Sequence, residues 1–462
     1  MGMERTASLF SRAFTLDLRA IALFRIALGL IVSSDLYMRS LDAARHYSDA
    51  GMLPRSALSY PLTLSLHLLD GRPGFQSALF VAGMILAAGL TLGAWPRLCA
   101  ALLFAFSVSM QNRNETILEG YDLYSRTLLL WASFLPLGAR FAVFGGAPPA
   151  PRHVASLGTA VMLCQIFVVY FYNGLNKLNE TWTSGEAIFN ALGYLYFPTA
   201  FGEWLRGFPD ALRFLTHATL GIELVAPLLL VCPYLPGLCK GLFFLVFVAL
   251  HAGIWVSLDV GLFPAVSIAA LLMLIPSTLG APPQGRERVE LPMWQNAVVG
   301  ALVAVHLLFH AGPRLPGYRG SELSQQVAFV TASLRLAQRW TMFHTVPRTT
   351  FWPLVLGRTA DGRTLRLPDH KELTVLNRRA SLQLEFTRHR QKKEFLALDR
   401  SGRLYDTLRE RYLKSFCQGS PAELTQVDLY VVRVPDAYWR GIGPADIKRS
   451  VQCSNLLSQS SP

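Results

Sequence analysis

The chain carries an apolar run, Ala155 to Gly174, that ends Tyr170-Phe171-Tyr172-Asn173-Gly174-Leu175-Asn176-Lys177-Leu178-Asn179. An apolar stretch of roughly 17–25 residues is long enough to cross a bilayer as a helix. This one passes straight into Asn, Gly, Asn and Lys. If the helix continues, spacings of three and four residues put Tyr170, Asn173 and Lys177 on one face. Gly174 on the same side lets another backbone or a ligand come close. A charge in the bilayer core costs at least ~2.5–3.5 kcal/mol, so it faces a partner or a cavity. Burial disfavours the ammonium form, and a lysine so placed can serve as a base. The plainer reading is a lysine snorkelling from a helix end.

Working outward, the same apolar pattern recurs. Ile21–Tyr37, Ala78–Trp95, Leu98–Met110, Leu123–Leu137, Phe214–Leu235, Gly241–Val256, Val260–Ile275 and Trp294–Ala311 bring the total to about nine spans. Residues AVILMFWYC make up 52% of the 462 and DEKR only 16%. That excludes a disordered chain and disfavours an ordinary soluble enzyme. The expected fold is an all-α polytopic membrane bundle over residues 1–313, followed by a small mixed α/β extramembrane domain over 314–455 and a disordered tail over 456–462. The first span carries Arg25 and Asp35, so it reads as retained rather than as a cleaved signal. Ser56–Leu69 and Ala187–Leu205 are too apolar for plain loops and read as interfacial pieces. Gly280–Glu290 reads as an extramembrane loop.

The net charge of +13 resides almost wholly in the second part. From Arg314 onward, 24 Lys and Arg against 13 Asp and Glu leave +11. No zinc-finger, KH or RNP pattern supports nucleic-acid binding, and contact with membrane lipid is the simpler expectation. In this part Asp361-Gly362 signals a hairpin between Trp352–Leu356 and Thr364–Leu367. Ser401-Gly402 suggests a second hairpin, unless Leu404–Phe416 is a helix. Asp428–Val434 alternates like a strand, and Tyr318–Met342 reads as a helix. Cys232 and Cys239 flank a Pro/Gly loop and are spaced so that they could pair. No CxxC occurs. His306 and His310 have metal-ligand spacing, but no third ligand accompanies them, so no metal site is expected.

The informative anomalies are polar residues within the apolar runs. Glu223, His251 and Asp259 fall on or beside consecutive spans and would line one internal cavity. His217 lies six residues before Glu223. Arg25 calls for a carboxylate on another span, Asp122 or Glu223. Arg113-Asn114-Glu115 and Asp122-Leu123-Tyr124-Ser125-Arg126 place dense polar chemistry between two spans, as a wet mouth would require.

Three blocks resemble the horizontally transferred transmembrane domain family, the bacterial relatives of vitamin K-dependent γ-glutamyl carboxylase. One is Asp17 to Leu30 with Asp35, Arg39 and His46-Tyr47-Ser48-Asp49-Ala50-Gly51-Met52-Leu53-Pro54-Arg55. The second is the Tyr-Phe-x-x-Gly-Leu-x-Lys-Leu-Asn-x-x-Trp pattern ending at Trp182. The third is His251 with Leu258-Asp259-Val260-Gly261-Leu262-Phe263. Gln338 to Phe343 also looks like the segment that follows the last span in bacterial members.

The resemblance implies an integral, multi-pass protein of the bacterial inner membrane. It implies vitamin K hydroquinone, or a related quinol, as cofactor with O2 and CO2. The reaction would be proton abstraction from Glu of a peptide or protein, followed by CO2 addition, a lyase-class carboxylation. Lys177 falls on the catalytic lysine, with His251 and Asn173 as polarising groups. Tyr170, Gly174 and Glu223 would line the cofactor site, and Asn114 stands where the family has a further histidine. The family's second lysine is replaced by Asn176. The alternatives are a non-catalytic membrane scaffold or lipid- or quinone-binding protein, and a transporter. No inverted repeat supports the transporter. The resemblance and an odd span count put the tail outside, whereas the Lys/Arg excess of the tail would put it inside.

Overall fold

A computed structural model describes residues 12–58, 64–144, 153–194, 196–275, 286–288, 292–338, 340–346, 349–367, 369–372, 386, 388–419, 424–435 and 446–453. The expected tail and most of the Gly280–Glu290 loop lie outside the described residues.

Each apolar run of the sequence is at least partly helical. The helices are α1 (Leu18–Ser40), α2 (Pro73–Leu92), α3 (Pro96–Arg113), α4 (Gly120–Ala132), α5 (Leu157–Asn176), α6 (Pro209–Val225), α7 (Pro236–Ser257), α8 (Phe263–Leu271) and α9 (Met293–Ala311). Their ends follow local chemistry. Asp17 caps α1 by accepting from the Arg19 amide at 2.8 Å, and Ser156 and Thr159 form a reciprocal capping box on α5. Pro begins α2, α3, α6 and α7, where its missing N–H costs nothing.

Among the described residues five helices are long and apolar enough to cross a membrane: α1, α2, α5, α7, and α6 with its 3₁₀ extension to Val231. The count of nine is therefore not reached by length and composition. α4 has only 13 residues. The last turns of α3, from Ser107 to Arg113, bury polar side chains against protein. The 3₁₀-extended α8 and the α9 run, Phe263–Leu274 and Met293–Phe309, are apolar but shorter. Large exposed side chains on the longer helices, such as Leu30, Ile85 and Leu245, form the apolar outer surface expected of a helix against lipid.

Within the bundle, α1 packs along α2 and α8, α3 bridges α2 and α4, and α5 lies on α6. Its core runs from Phe24 and Leu28 through Phe106, Tyr124 and Ile166 to Phe247 and Val266.

After α9 the chain forms α10 (Glu322–Ser333), shorter than the helix expected over Tyr318–Met342. An irregular strap then runs back along the bundle, and Trp340 joins its core. The C-terminal part is a five-stranded antiparallel sheet of β1 (Thr349–Thr359), β2 (Thr364–Leu367), β3 (Lys371–Glu372), β4 (Leu424–Pro435) and β5 (Asp446–Gln452), in the order β3-β2-β1-β4-β5. The Asp361-Gly362 hairpin forms, pairing Arg358 with Thr364.

Ser401-Gly402 does not make a second hairpin. It separates α11 (His389–Leu396) and a 3₁₀ turn from α12 (Arg403–Gly419), because Leu408, Tyr412 and Leu413 recur with helical period and bury against the sheet. Met52 and Leu53, from the loop after α1, sit in this second core. Cys417 of α12 is disulfide-bonded to Cys453, while Cys232 and Cys239 are both free. The pairing weighed for Cys232 and Cys239 is thus replaced by one that ties α12 to the residue after β5.

Candidate functional site

The end of α5 meets α6 side by side. Gly174 makes this possible: a Cβ there would lie 3.0 Å from the Glu223 carbonyl carbon and 3.1 Å from the Leu224 nitrogen. The close approach that a glycine permits is taken up by the α6 backbone. It brings Glu223 over the α5 face that carries Asn173 and Lys177. Lys177 caps α5 with helical backbone angles, so it stays on the Tyr170–Asn173 face.

The Lys177 Nζ donates to both Glu223 oxygens at 2.7 Å, and Asn173 Nδ2 donates to the same two at 3.1 Å. Lys177 and Glu223 are both buried. The ammonium also lies 4.4 Å from the Trp182 ring centroid, a favourable cation–π geometry. A buried cation this well paired is not snorkelling to the headgroups. An ammonium and a carboxylate in this contact can hold their shared proton on either partner.

Two turns back from Lys177, the Tyr170 hydroxyl is 2.8 Å from His251 Nε2 on α7. The Tyr170 ring packs on Phe247 at 4.0 Å and Phe243 at 5.8 Å, and His251 packs on Phe263 at 5.7 Å. Ser267 of α8 lies beside the Tyr170 phenol. Four polar atoms in this region are buried without a hydrogen-bond partner among the described residues: Asn173 Oδ1, His251 Nδ1, Ser267 Oγ and the Tyr124 hydroxyl. Buried polar atoms are nearly always paired, so unpaired ones of this kind mark a place for a ligand or water.

The loop after Lys177 is pinned from outside. Asn176, Asn179, Trp182 and Asn190 donate through their side chains to the carbonyls of Trp340, His344, Phe343 and Val346, at 2.7–3.2 Å. Asn176 and the Asn179/Trp182 pair thus hold the strap against the site. Sequence reasoning did not foresee this role. Its one signal was the density of Asn after an apolar run.

Other residues expected here lie elsewhere. Asn114 donates to the His46 carbonyl at 2.8 Å and accepts from the Thr116 hydroxyl at 2.7 Å, so its contacts are with the α1–α2 loop and its own turn rather than with Lys177. Arg25 finds no carboxylate among the described residues. It donates to the carbonyls of Leu137 and Phe141 at the end of the α4 segment. Asp122 is taken instead by Arg39, which also holds Asp35 at 2.8 Å. His217 is on the surface, 3.1 Å from the Thr183 carbonyl. Asp259 does not join Glu223 and His251 in one cavity. It pairs with Lys392 at 2.5 Å and His389 at 3.5 Å. Hydrogen bonding from His389 and then Lys392 outweighs burial and holds its carboxyl below the usual range. Among the described residues no group of His, Cys, Asp and Glu could hold a metal ion. None of the described clefts is lined by Lys177.

Asp259 belongs to a second cluster, where α11 fills the mouth of the bundle. Arg390 contacts Asp122 at 2.6 Å and Asp35 at 3.1 Å, and donates to the Ile117 carbonyl at 2.6 Å. Glu394 meets Arg45 at 2.6 Å and His46 at 2.8 Å. His389 meets Glu119 at 2.7 Å, and Arg388 pairs with Asp42. The wet mouth expected near Glu115–Arg126 is real as polar chemistry, but protein occupies it.

An apolar helical bundle with an exposed apolar surface and a buried ionic group between its helices defines a helical membrane protein. The chain belongs to the HTTM domain family, whose model matches residues 15–278. No curated protein and no solved structure matches the chain.

Proposed function

We propose that the chain is a membrane enzyme resembling the vitamin K-dependent γ-glutamyl carboxylase, with Lys177 as its base. The observation that carries this reading is the Lys177–Glu223 pair, buried two helical turns from Tyr170–His251 and flanked by Asn173 Oδ1 and His251 Nδ1, which have no partner among the described residues. The residues fit a quinol: two orphan polar atoms suit its hydroxyls, and Phe243, Phe247, Phe263 and Trp182 suit a flat apolar ring. When bound, such a group supplies the O2-driven chemistry that makes a base strong enough to remove a γ-proton from Glu, opening that carbon to CO2.

The chain's own part is to bind, orient and move one proton. The proton of the ion pair resides on Glu223 when Lys177 is the free amine, and the amine then accepts the quinol proton. Asn173 orients the Glu223 carboxylate, and Tyr170 fixes the His251 ring through Nε2. The dry aromatic wall keeps water from quenching a strong base. A ligand reaches the group by displacing the flanking rings. The experiment is CO2 incorporation into Glu peptides with vitamin K hydroquinone. Wild type incorporates, Lys177→Ala does not, and incorporation that survives the substitution removes Lys177 from the mechanism.

The close packing around Lys177 favours a second reading, a non-catalytic membrane scaffold or quinone-binding protein. Absence of incorporation with every quinol tried would select it.

The Cys417–Cys453 disulfide supports a topology with the C-terminal domain outside, since disulfides persist in oxidising compartments. Impermeant maleimide should label these two thiols on intact cells only after reduction. Labelling confined to inverted vesicles, without reduction, would reverse the orientation.

A further inference from the structure

Away from the buried site, a cleft of about 620 Å³ opens between α12 and the loop 50–57. Past Arg411 it continues into a second space of about 570 Å³ beside Asp49, Arg55 and Leu68. One face of α12 supplies its wall: Arg403, Thr407, Glu410, Arg411, Lys414 and Ser415. The opposite α12 face, Leu408, Tyr412 and Leu413, is committed to the core. The other wall is formed by Ala50, Gly51, Met52, Pro54, Ser56 and Ala57, most of them small.

Two of the cations already have carboxylates, Lys414 with Glu410 at 2.7 Å and Arg55 with Asp49 at 2.8 Å. Among the described residues Arg411 donates to the carbonyls of Asp49 and Gly51 and to no carboxylate. Arg403 is exposed and makes no ion pair among the described residues. The cleft therefore has a surplus of two guanidinium groups.

We propose that this cleft binds an extended acidic peptide, with carboxylates about four residues apart reaching Arg403 and Arg411. Eight residues of helix separate the two arginines by about 12 Å, and four residues of extended chain span about 13 Å. Arg411 is turned to the Asp49 and Gly51 carbonyls, so the two guanidinium groups are offered separately, each suited to one carboxylate. The small residues opposite leave room for a peptide backbone, and the elongated shape suits a chain rather than a compact headgroup. That the acidic residue is the glutamate to be modified rests on the reading above. The binding itself does not.

The test uses the full chain in zwitterionic nanodiscs and a fluorescein-labelled twelve-residue peptide with Glu at positions four apart. A Gln version is the control. The Glu peptide binds, binding weakens as salt is raised, and the Gln peptide binds at least tenfold more weakly. Arg403→Glu weakens the Glu peptide at least tenfold, and Ser415→Trp, which fills the cleft without removing charge, does the same. Lys177→Ala binds the peptide like wild type. Loss of carboxylation with binding intact thus separates failure of the buried site from failure of the cleft. Equal binding of the two peptides overturns the proposal. So does indifference to both Arg403→Glu and Ser415→Trp, or full competition by millimolar inorganic phosphate or by anionic vesicles.

Discussion

Two of the places where the chain buries cations handle them differently. Beneath the strap, Lys177 faces a single carboxylate, with Asn173 and Trp182 completing its surroundings. At the mouth, Arg39 and Arg390 share Asp122 and Asp35, with hydroxyls of Tyr47 and Tyr121 filling the remaining positions. A guanidinium does not release its proton in a protein, so the mouth is a permanent lattice of charge. A lysine can release its proton, so the inner pair can be charged or neutral. One cluster ties α11 to the bundle. The other is suited to proton transfer.

The sharpest way to break this contrast is to remove one acid from each cluster. Asp122→Ala leaves two buried guanidinium groups short of a carboxylate and should cost about 3–5 kcal/mol, because neither can neutralise itself. Thermal unfolding of the detergent-purified protein reads it as a large drop in melting temperature. A loss under about 1 kcal/mol would mean that the mouth is solvated. Glu223→Ala should cost less, about 1–3 kcal/mol, since Lys177 can shed its proton rather than stay charged and unpaired. If Glu223→Ala is the more damaging of the two, the distinction between the clusters is wrong.

The smallest effect is one of pH at the rim of the mouth. Burial pulls His389 down, but hydrogen bonds to Asp259 and Glu119 outweigh it and raise the imidazole above 6.5. The contribution of His389 is thus complete below about pH 6.5 and disappears as pH rises through the folded value. Asp259 is lowered from 3.8, so its contribution is present above that value and disappears on acidification. Lys392 and Lys393, which face the same acids at 2.5 and 3.9 Å, remain to hold the contact. Melting temperature measured from pH 6 to 9 should fall modestly in wild type and less in His389→Gln. Identical slopes would remove His389 from the interface balance.

Much of this was legible in the chain. Apolar runs about as long as a bilayer is thick named the bundle, and helical spacing put Tyr170, Asn173 and Lys177 on one face before any fold was known. Glu223 was recognisable as a partner for a cation, since a carboxylate in an apolar run needs one. The cation was misjudged. Arg25 seemed to require an acid, yet main-chain carbonyls at the end of the α4 segment satisfy it, and which carbonyls lie exposed at a helix end is a matter of packing. Asp259 was grouped with Glu223 and His251 because the three fall on or beside consecutive spans. The turn at Leu258 ends α7 and sends Asp259 out to α11.

The sequence by itself determined the membrane class, the helical face bearing Lys177, the basic character of the C-terminal part and the Asp361-Gly362 hairpin. These rest on interactions within a few residues, where periodicity and turn chemistry act. Only the tertiary structure decided that Glu223 meets Lys177, that α11 fills the mouth and that Cys417 pairs with Cys453. It also decided that the strap from Trp340 to Val346 closes over the site. Each of these joins residues tens to hundreds of positions apart, and no local preference specifies which distant partner satisfies a buried charge.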